Sequence, residues 1–300
     1  MFASTRSLST HRAPQLSPVY VKPLANSEQS EVLQFLSQRP IHTVSMMSLI
    51  QDNGLENPFN RGTFYGCRDS RGQLEGVALV GHATLLETVS DRALALLAQV
   101  AQQCPNTHMI MGEKERVDDF WVHYASAGRH QRLVCREWLF ELNWPNAPRA
   151  VVSDLRPATP AELDLVMPVQ AELAFAESGV NPLHVDPQGF RQRCLRRIEQ
   201  ERTWVVVKDD SLIFKADVIS RHSAVVYLEG IWLREDQRSN GSGVQFVNEL
   251  THKLCEEAKS ICLLVNENNR RAQSFYRKCG FRFRATYETI FLPRKEFPRN

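Results

Sequence analysis

The sequence lacks most of the features that assign a chain at a glance. Its 300 residues hold seven cysteines, at positions 67, 104, 135, 194, 255, 262 and 279, and none forms a CxxC pair. Scattered cysteines of odd number argue against a disulfide framework or a structural zinc site, and they fit a reducing, cytoplasmic setting. The nine histidines show no metal-ligand spacing, so no metal is expected. No apolar run approaches the ~18 residues of a membrane helix; Ala93 to Ala101 is among the longer ones and is interrupted. Neither sign of charge is in excess, since 36 basic and 34 acidic residues leave +2. That balance gives no global pull toward nucleic acid or anionic lipid, and neither is expected as a partner. The P-loop pattern GxxxxGK[ST] and the dinucleotide pattern GxGxxG are both missing.

What is present describes a folded protein, with 43% hydrophobic and 23% charged residues. At roughly 150 residues per domain the length suggests two domains. Trp144-Pro145-Asn146-Ala147-Pro148 marks the break, because two prolines in four residues fit neither a central strand nor a helix. The expected division is a polar, disordered tail over 1–16, an N-terminal domain over 17–145 and a C-terminal domain over 150–300. The tail carries Arg6 and Arg12, serines and threonines but no acid and no apolar stretch. The missing apolar stretch is unlike a secretory signal, and the composition weakly resembles an organellar transit peptide.

Both halves read as mixed α and β. In the second, Val151 to Leu155 suggests a strand, and Thr159-Pro160-Ala161-Glu162 opens a helix that Gly179 ends. Arg191 to Glu201 suggests a helix whose four arginines read as a wet face or an acidic-partner surface. A hairpin is expected across Asp209-Asp210-Ser211, then a strand over Ala224 to Leu233, a helix from Gly243 to Lys259, and a strand over Ile261 to Val265. A helix over Arg270 to Cys279 and a last strand over Arg282 to Phe291 complete this half. The first half carries a fainter copy. A strand at Val19 to Pro23 and a helix at Glu28 to Gln38 precede a hairpin of Thr63 to Arg68 with Leu74 to Gly81. A helix at Asp91 to Gln103, a strand at His108 to Met111, a helix at Arg116 to Ala127 and a strand at Leu133 to Leu142 follow.

The most informative stretch is Tyr227 to Leu233, then Arg238-Ser239-Asn240-Gly241-Ser242-Gly243, then a helix with apolar positions at Val244, Val247, Leu250 and Leu254. A strand delivers the chain to a glycine-containing loop that opens a helix. Free N–H groups and the positive end of the helix dipole suit a pyrophosphate there, with Arg238 beside it. An ordinary strand-to-helix turn is the plainer reading of the glycines alone.

A second segment decides between them. Arg238-x-x-Gly241-x-Gly243 resembles the acyl-CoA pyrophosphate signature [QR]xxGx[GA] of the GNAT superfamily of N-acetyltransferases. The segment Val265-Asn266-x-x-Asn269-x-x-Ala272-x-x-Phe275-Tyr276-x-Lys278-Cys279-Gly280-Phe281 resembles that family's second signature. The resemblance covers Tyr227 to Phe281 and implies an α/β fold of two GNAT-like domains, each a mixed, mostly antiparallel twisted sheet flanked by helices. It implies a catalytic C-terminal domain and a degenerate N-terminal one, since the first half has no phosphate signature.

By the same resemblance acetyl-CoA is the co-substrate. Its pantetheine arm would pair with the backbone of Ile231, Trp232 and Leu233, and its pyrophosphate with the loop over Arg238, Ser239, Asn240, Gly241, Ser242, Gly243 and Val244. Asn269 would contact the cofactor, while also reading as an N-cap. Tyr276 would protonate the departing thiolate, or else pack in the core beside Phe275. Glu229, an acid in an otherwise apolar strand, is the candidate base, or else a solvent-facing strand residue. The loop from Ser178 to Gly189, with His184 and Asp186, would shape the acceptor pocket. The implied activity is acetyl transfer to a primary amine, on a small molecule or a peptide, by direct attack in a ternary complex; a homodimer is left open. A non-catalytic acyl-CoA-binding or sensing protein is the rival reading. Cys255, Cys262 and Cys279, without a paired histidine, read as buried structural thiols and not nucleophiles.

Overall fold

The computed structural model describes residues 19–145, 154–238 and 240–293. The expected tail over 1–16 and most of the strand expected over 151–155 lie outside them. The first half runs β1 (Tyr20–Pro23), α1 (Gln29–Leu36), α2 (Pro40–Asn53), β2 (Gly62–Arg68), β3 (Leu74–Gly81), β4 (Ala83–Thr88), α3 (Asp91–Gln102), β5 (Met109–Glu113), α4 (Lys114–Ala125) and β6 (Leu133–Leu142). The second half repeats the order: β7 (Arg156–Pro157), α5 (Leu163–Ser178), α6 (Pro182–Val185), α7 (Pro187–Glu199), β8 (Thr203–Lys208), β9 (Ser211–His222), β10 (Val225–Leu233), α8 (Ser242–Leu254), β11 (Ile261–Asn266), α9 (Arg270–Lys278) and β12 (Arg282–Phe291).

Local chemistry accounts for many boundaries. Thr159 N donates to the Glu162 carboxylate (2.7 Å) ahead of α5, and Gly179 ends that helix in the left-handed conformation at φ 69°. Asp209 and Asp210, with φ of 49° and 54°, make the tight turn that joins β8 to β9.

Among the described residues all strands join one twelve-stranded sheet in the order β1-β2-β3-β4-β5-β12-β6-β11-β10-β9-β8-β7. Only the β4–β5 and β10–β11 pairs among the described residues are parallel. The two halves exchange their last strands: β12 pairs with β5 of the first half, β6 pairs with β11 of the second, and β6 and β12 pair with each other. Phe140 and Leu142 of β6 therefore lie in the second half's core with Phe246, Val247 and Leu250 of α8. Ile290 of β12 lies in the first half's core with Leu94 and Leu97 of α3.

Four elements were not expected from the sequence: the short β7 and α6, the latter inside the loop expected over Ser178 to Gly189, and the longer β4 and α2. β4 pairs with β3 and β5, and α2 packs against α1, β4, β9 and β10. Because α2 is covered by both halves, it buries Thr43, Val44, Met46, Met47, Ser48 and Ile50. Its apolar residues form no single stripe for a helical periodicity to reveal. It ties the halves together: Arg221 N donates to Ser48 Oγ (3.1 Å), and Arg202 pairs with Asp52 (2.8 Å). Among the described residues no helix is long and apolar enough to cross a membrane.

Candidate functional site

The site begins where two parallel strands part. β10 pairs with β11 only from Val226 to Leu228, opposite Ile261 to Leu263. It then continues to Leu233, and among the described residues no strand takes up this edge. Its other edge pairs with β9 as far as Leu233, opposite Phe214, with a break in register between Glu229 and Trp232. Gly230 sits in that break at φ 59°, a conformation that favours glycine, so a bulge turns the strand as it leaves β11. Around Ile231, Trp232 and Leu233 this open edge offers backbone groups to an extended ligand, with the Leu233 carbonyl already accepting from Arg238.

The strand leads into the loop and α8. Gly241, at φ 89°, turns the chain into the helix, and Asn240 Oδ1 accepts from Ser242 N (3.0 Å). Gly243 is buried, and a Cβ there would stand 3.1 Å from Leu233 and 3.2 Å from Phe275, so its lack of a side chain lets the helix start approach the strand. Beyond Ser242 the N–H groups of the first turn, Gly243 and Val244 among them, have no carbonyl behind them within the helix. Arg238 is exposed, and its Nε donates to the Leu233 carbonyl (3.0 Å). Ser239 lies outside the described residues.

Two clefts meet at this strand. One, about 790 Å³, runs along Ile231 to Leu233 past Arg238, Gly241, Gly243 and Val244 to Asn269 and Lys278. The other, about 1060 Å³, lies between β10, β6, α5 and the end of β11 and contains Glu137, Gln170, Glu177 and Glu229. Ile231, Asn269 and Tyr276 line both. Asn269 Oδ1 accepts from Ala272 N (3.0 Å), so it caps α9 while facing the clefts. Tyr276 packs edge-on against Phe275 and Phe281 with centroids 5.1 and 5.8 Å away. Burial pushes its phenol up, so it stays protonated at neutral pH.

Glu229 is half-buried and faces the second cleft. Burial raises its carboxyl above the ordinary range; Arg197 opposes the rise, Asp217 adds to it, and Lys215 opposes it. Two carboxylates that the sequence reading missed share the cleft. Glu137, on β6, is pushed up to about 7, by burial first and then by Glu229. Glu177, near the end of α5, is pushed up to about 8 by burial, Glu229 and Glu137. An acid inside the apolar strand Leu133 to Leu142 was a signal for Glu137 of the same kind that picked out Glu229. Behind Glu229, Lys215 and Asp217 are fully buried and paired at 2.7 Å. Opposite charges two positions apart inside the apolar run Leu212 to Ile219 were their signal.

Other expected residues lie elsewhere. Of the loop Ser178 to Gly189, Gly179 lines the cleft, whereas Asp186 caps α7 by accepting from Gly189 N (3.0 Å). The four arginines of α7 each have a partner within the chain: Arg191 with Asp164, Arg193 with Asp186, Arg196 with Asn53, and Arg197 with Asp217. All seven cysteines are free thiols, and burial pushes Cys279 up to about 12, away from nucleophilic use. Among the described residues no group of His, Cys, Asp and Glu could hold a metal ion.

Architecture and strand parting together define a protein of the GNAT acetyltransferase fold in tandem form, and comparison with known proteins agrees. Residues 209–290 match the family model described as FR47-like protein. A GNAT-family acetyltransferase from Colwellia psychrerythraea is similar over 91% of this chain and 100% of its own, with TM-score 0.56 and 12% identity. A GCN5-related N-acetyltransferase from Sphaerobacter thermophilus is similar over 93% of this chain and 98% of its own, with TM-score 0.58 and 12% identity. A tandem GNAT protein from the clavulanic acid biosynthesis pathway covers 93% of this chain and 100% of its own, with TM-score 0.55 and 14% identity. No curated protein matches the sequence.

Proposed function

We propose that the protein is an N-acetyltransferase that moves the acetyl group of acetyl-CoA to a primary amine by direct attack in a ternary complex. One observation carries the reading: the edge of β10 that β11 abandons after Leu228 leads to a glycine-bearing helix start and opens on a second cleft holding Glu229. The residues fit the co-substrate. Ile231 to Leu233 offer backbone pairing to an extended arm, the start of α8 with Arg238, Asn240, Gly241, Ser242, Gly243 and Val244 suits a pyrophosphate, and Asn269 borders both clefts. Ser239 belongs to the same loop in this reading.

In this reading Glu229 accepts a proton from the attacking amine, directly or through water. The amine nitrogen bonds to the acyl carbon, the carbon–sulfur bond breaks, and the sulfur takes a proton from Tyr276, whose phenol keeps it at neutral pH. The catalytic unit is residues 150–300. The unit over 17–145 is cofactor-silent: past Leu85, where β4 leaves β5, Glu87 is occupied by Arg39 (3.1 Å), and α3 starts on Ser90 and Asp91 without a glycine loop. It contributes β6, and with it Glu137, to the acceptor cleft.

The test combines calorimetric binding of acetyl-CoA with mass-spectrometric detection of acetylated products from a panel of amines and a cell extract. Gly241→Val and Arg238→Ala serve as controls that weaken binding. Amine-dependent CoA release with a new acetylated product is the expected result. Tight binding without transfer to any acceptor would overturn it in favour of an acyl-CoA sensor.

A further inference from the structure

Lys215 is the most deeply placed cation in the second half, on β9 and with no exposed surface. Burial works against its charge, and Asp217 holds that charge in place. Its Nζ has an acceptor for every proton: Asp217 Oδ2 at 2.7 Å, Gln170 Oε1 at 2.6 Å and the Gly230 carbonyl at 3.2 Å. Asp217 is equally satisfied, taking Arg197 of α7 on the same oxygen (2.8 Å) and Thr203 Oγ1 on the other (2.8 Å). One ammonium thus joins α5, β9 and β10 at the point where β10 bulges. A Cβ on Gly230 would stand 2.9 Å from Nζ and 3.2 Å from the Gln170 oxygen, so the bulge and the lysine fit each other closely.

Two of its partners face the proposed chemistry, since Gln170 and Gly230 line the acceptor cleft beside Glu229. A buried ion pair is often no more stable than apolar residues of the same volume, so packing alone does not call for an ammonium here. We propose that Lys215 is a positioning residue for acyl transfer: it holds the Gly230 bulge and the Gln170 amide in place and keeps a positive charge beside Glu229. This rests on the acetyltransferase reading given above. The groups facing Glu229 are Arg197 from α7, Lys215 and Asp217 from β9, Tyr227 from its own strand, Glu137 from β6 and Glu177 from α5. Taking away the lysine removes a cation, so Glu229 would hold its proton to higher pH. Taking away the Asp217 charge would not do the reverse, because the buried ammonium that Asp217 holds would lose its proton as well.

The test is made on the full chain with Lys215→Met and Gln170→Leu, which removes a cleft-side partner of the ammonium without removing a charge, measuring acetyl-CoA affinity, kcat, KM and the pH–rate profile. In Lys215→Met, kcat falls on the order of 10²-fold, the loss a displacement of ~1 Å brings, and acetyl-CoA affinity falls by much less, because only the Gly230 end of the strand that would pair with the arm is released. Its acid limb moves to higher pH, whereas Gln170→Leu lowers kcat with the acid limb in place, a split that a purely structural role does not produce. If Lys215→Met fails to fold, Gln170→Leu decides, since an unchanged kcat there overturns the role. An active wild type whose folded variants keep both kcat and the acid limb overturns the role of Lys215 alone. A wild type that binds acetyl-CoA but transfers to no amine overturns the underlying reading, and the role with it.

Discussion

At Glu229 the surroundings pull in opposite directions. Burial and Asp217 favour the proton, while Arg197 and Lys215 favour the anion, and the net direction is upward. A carboxyl raised from its usual value is a better proton acceptor for an ammonium than a free one, which is the use proposed for it. Glu229→Gln is expected to lower kcat/KM on the order of 10²-fold or more and to abolish the acid limb of the pH–rate profile. A retained wild-type profile would remove Glu229 from the mechanism. Tyr276 is held by the rings of Phe275 and Phe281, and Tyr276→Phe keeps that packing while deleting the hydroxyl. Turnover is expected to fall on the order of 10²-fold with acetyl-CoA affinity unchanged; equal turnover would leave the tyrosine a packing residue only.

Among the elements, β6 and α5 bring Glu137 and Glu177 into the same cleft as Glu229, and both are held above the ordinary carboxylate range, at about 7 and about 8. A folded-state value above the unfolded one means that the native protein binds more protons than the unfolded chain between about pH 4.5 and these values. Stability from these groups is therefore present at low pH and lost as pH rises through 7 to 8. Glu137→Gln combined with Glu177→Gln should raise Tm at pH 8 and leave it nearly unchanged at pH 5. A gain at pH 5 equal to that at pH 8 would show that the carboxyls carry no excess protons in the native state. The elements legible in the sequence were those with a local signature. β10, the Arg238 to Gly243 loop and α9 could be read because turn residues, caps and the family-like spacing lie within a few positions of one another. Glu137 and Gln170 were not placed, because their approach to Glu229 depends on which strand and helix the sheet sets beside β10. β4 and α2 were missed for a related reason, as elements covered on both faces display no periodicity.

For the whole molecule the exchange of β6 and β12 has a mechanical consequence. Nothing local in Leu133 to Leu142 or Arg282 to Phe291 says which half will receive the strand; a run of alternating apolar residues fits either sheet. Once exchanged, each half's core contains a strand from the other, and α2 adds a third connection through Ser48 and Asp52. Neither half can lose its core without unpairing the other's last strand, so the protein is expected to unfold in one transition despite its length. Phe140 tests the point because it belongs to the first half by sequence and to the second by packing, with no exposed surface and with Phe283 of β12 6.5 Å away in an edge-on arrangement. Phe140→Ala should cost about 3–5 kcal/mol, the usual loss for a large buried aromatic side chain. Calorimetry should show a single transition moved to lower temperature, and hydrogen exchange should show α3 and α8 losing protection together. If α8 loosens while α3 keeps its protection, or if two transitions separate, the halves are energetically independent and the strand exchange is a matter of topology alone.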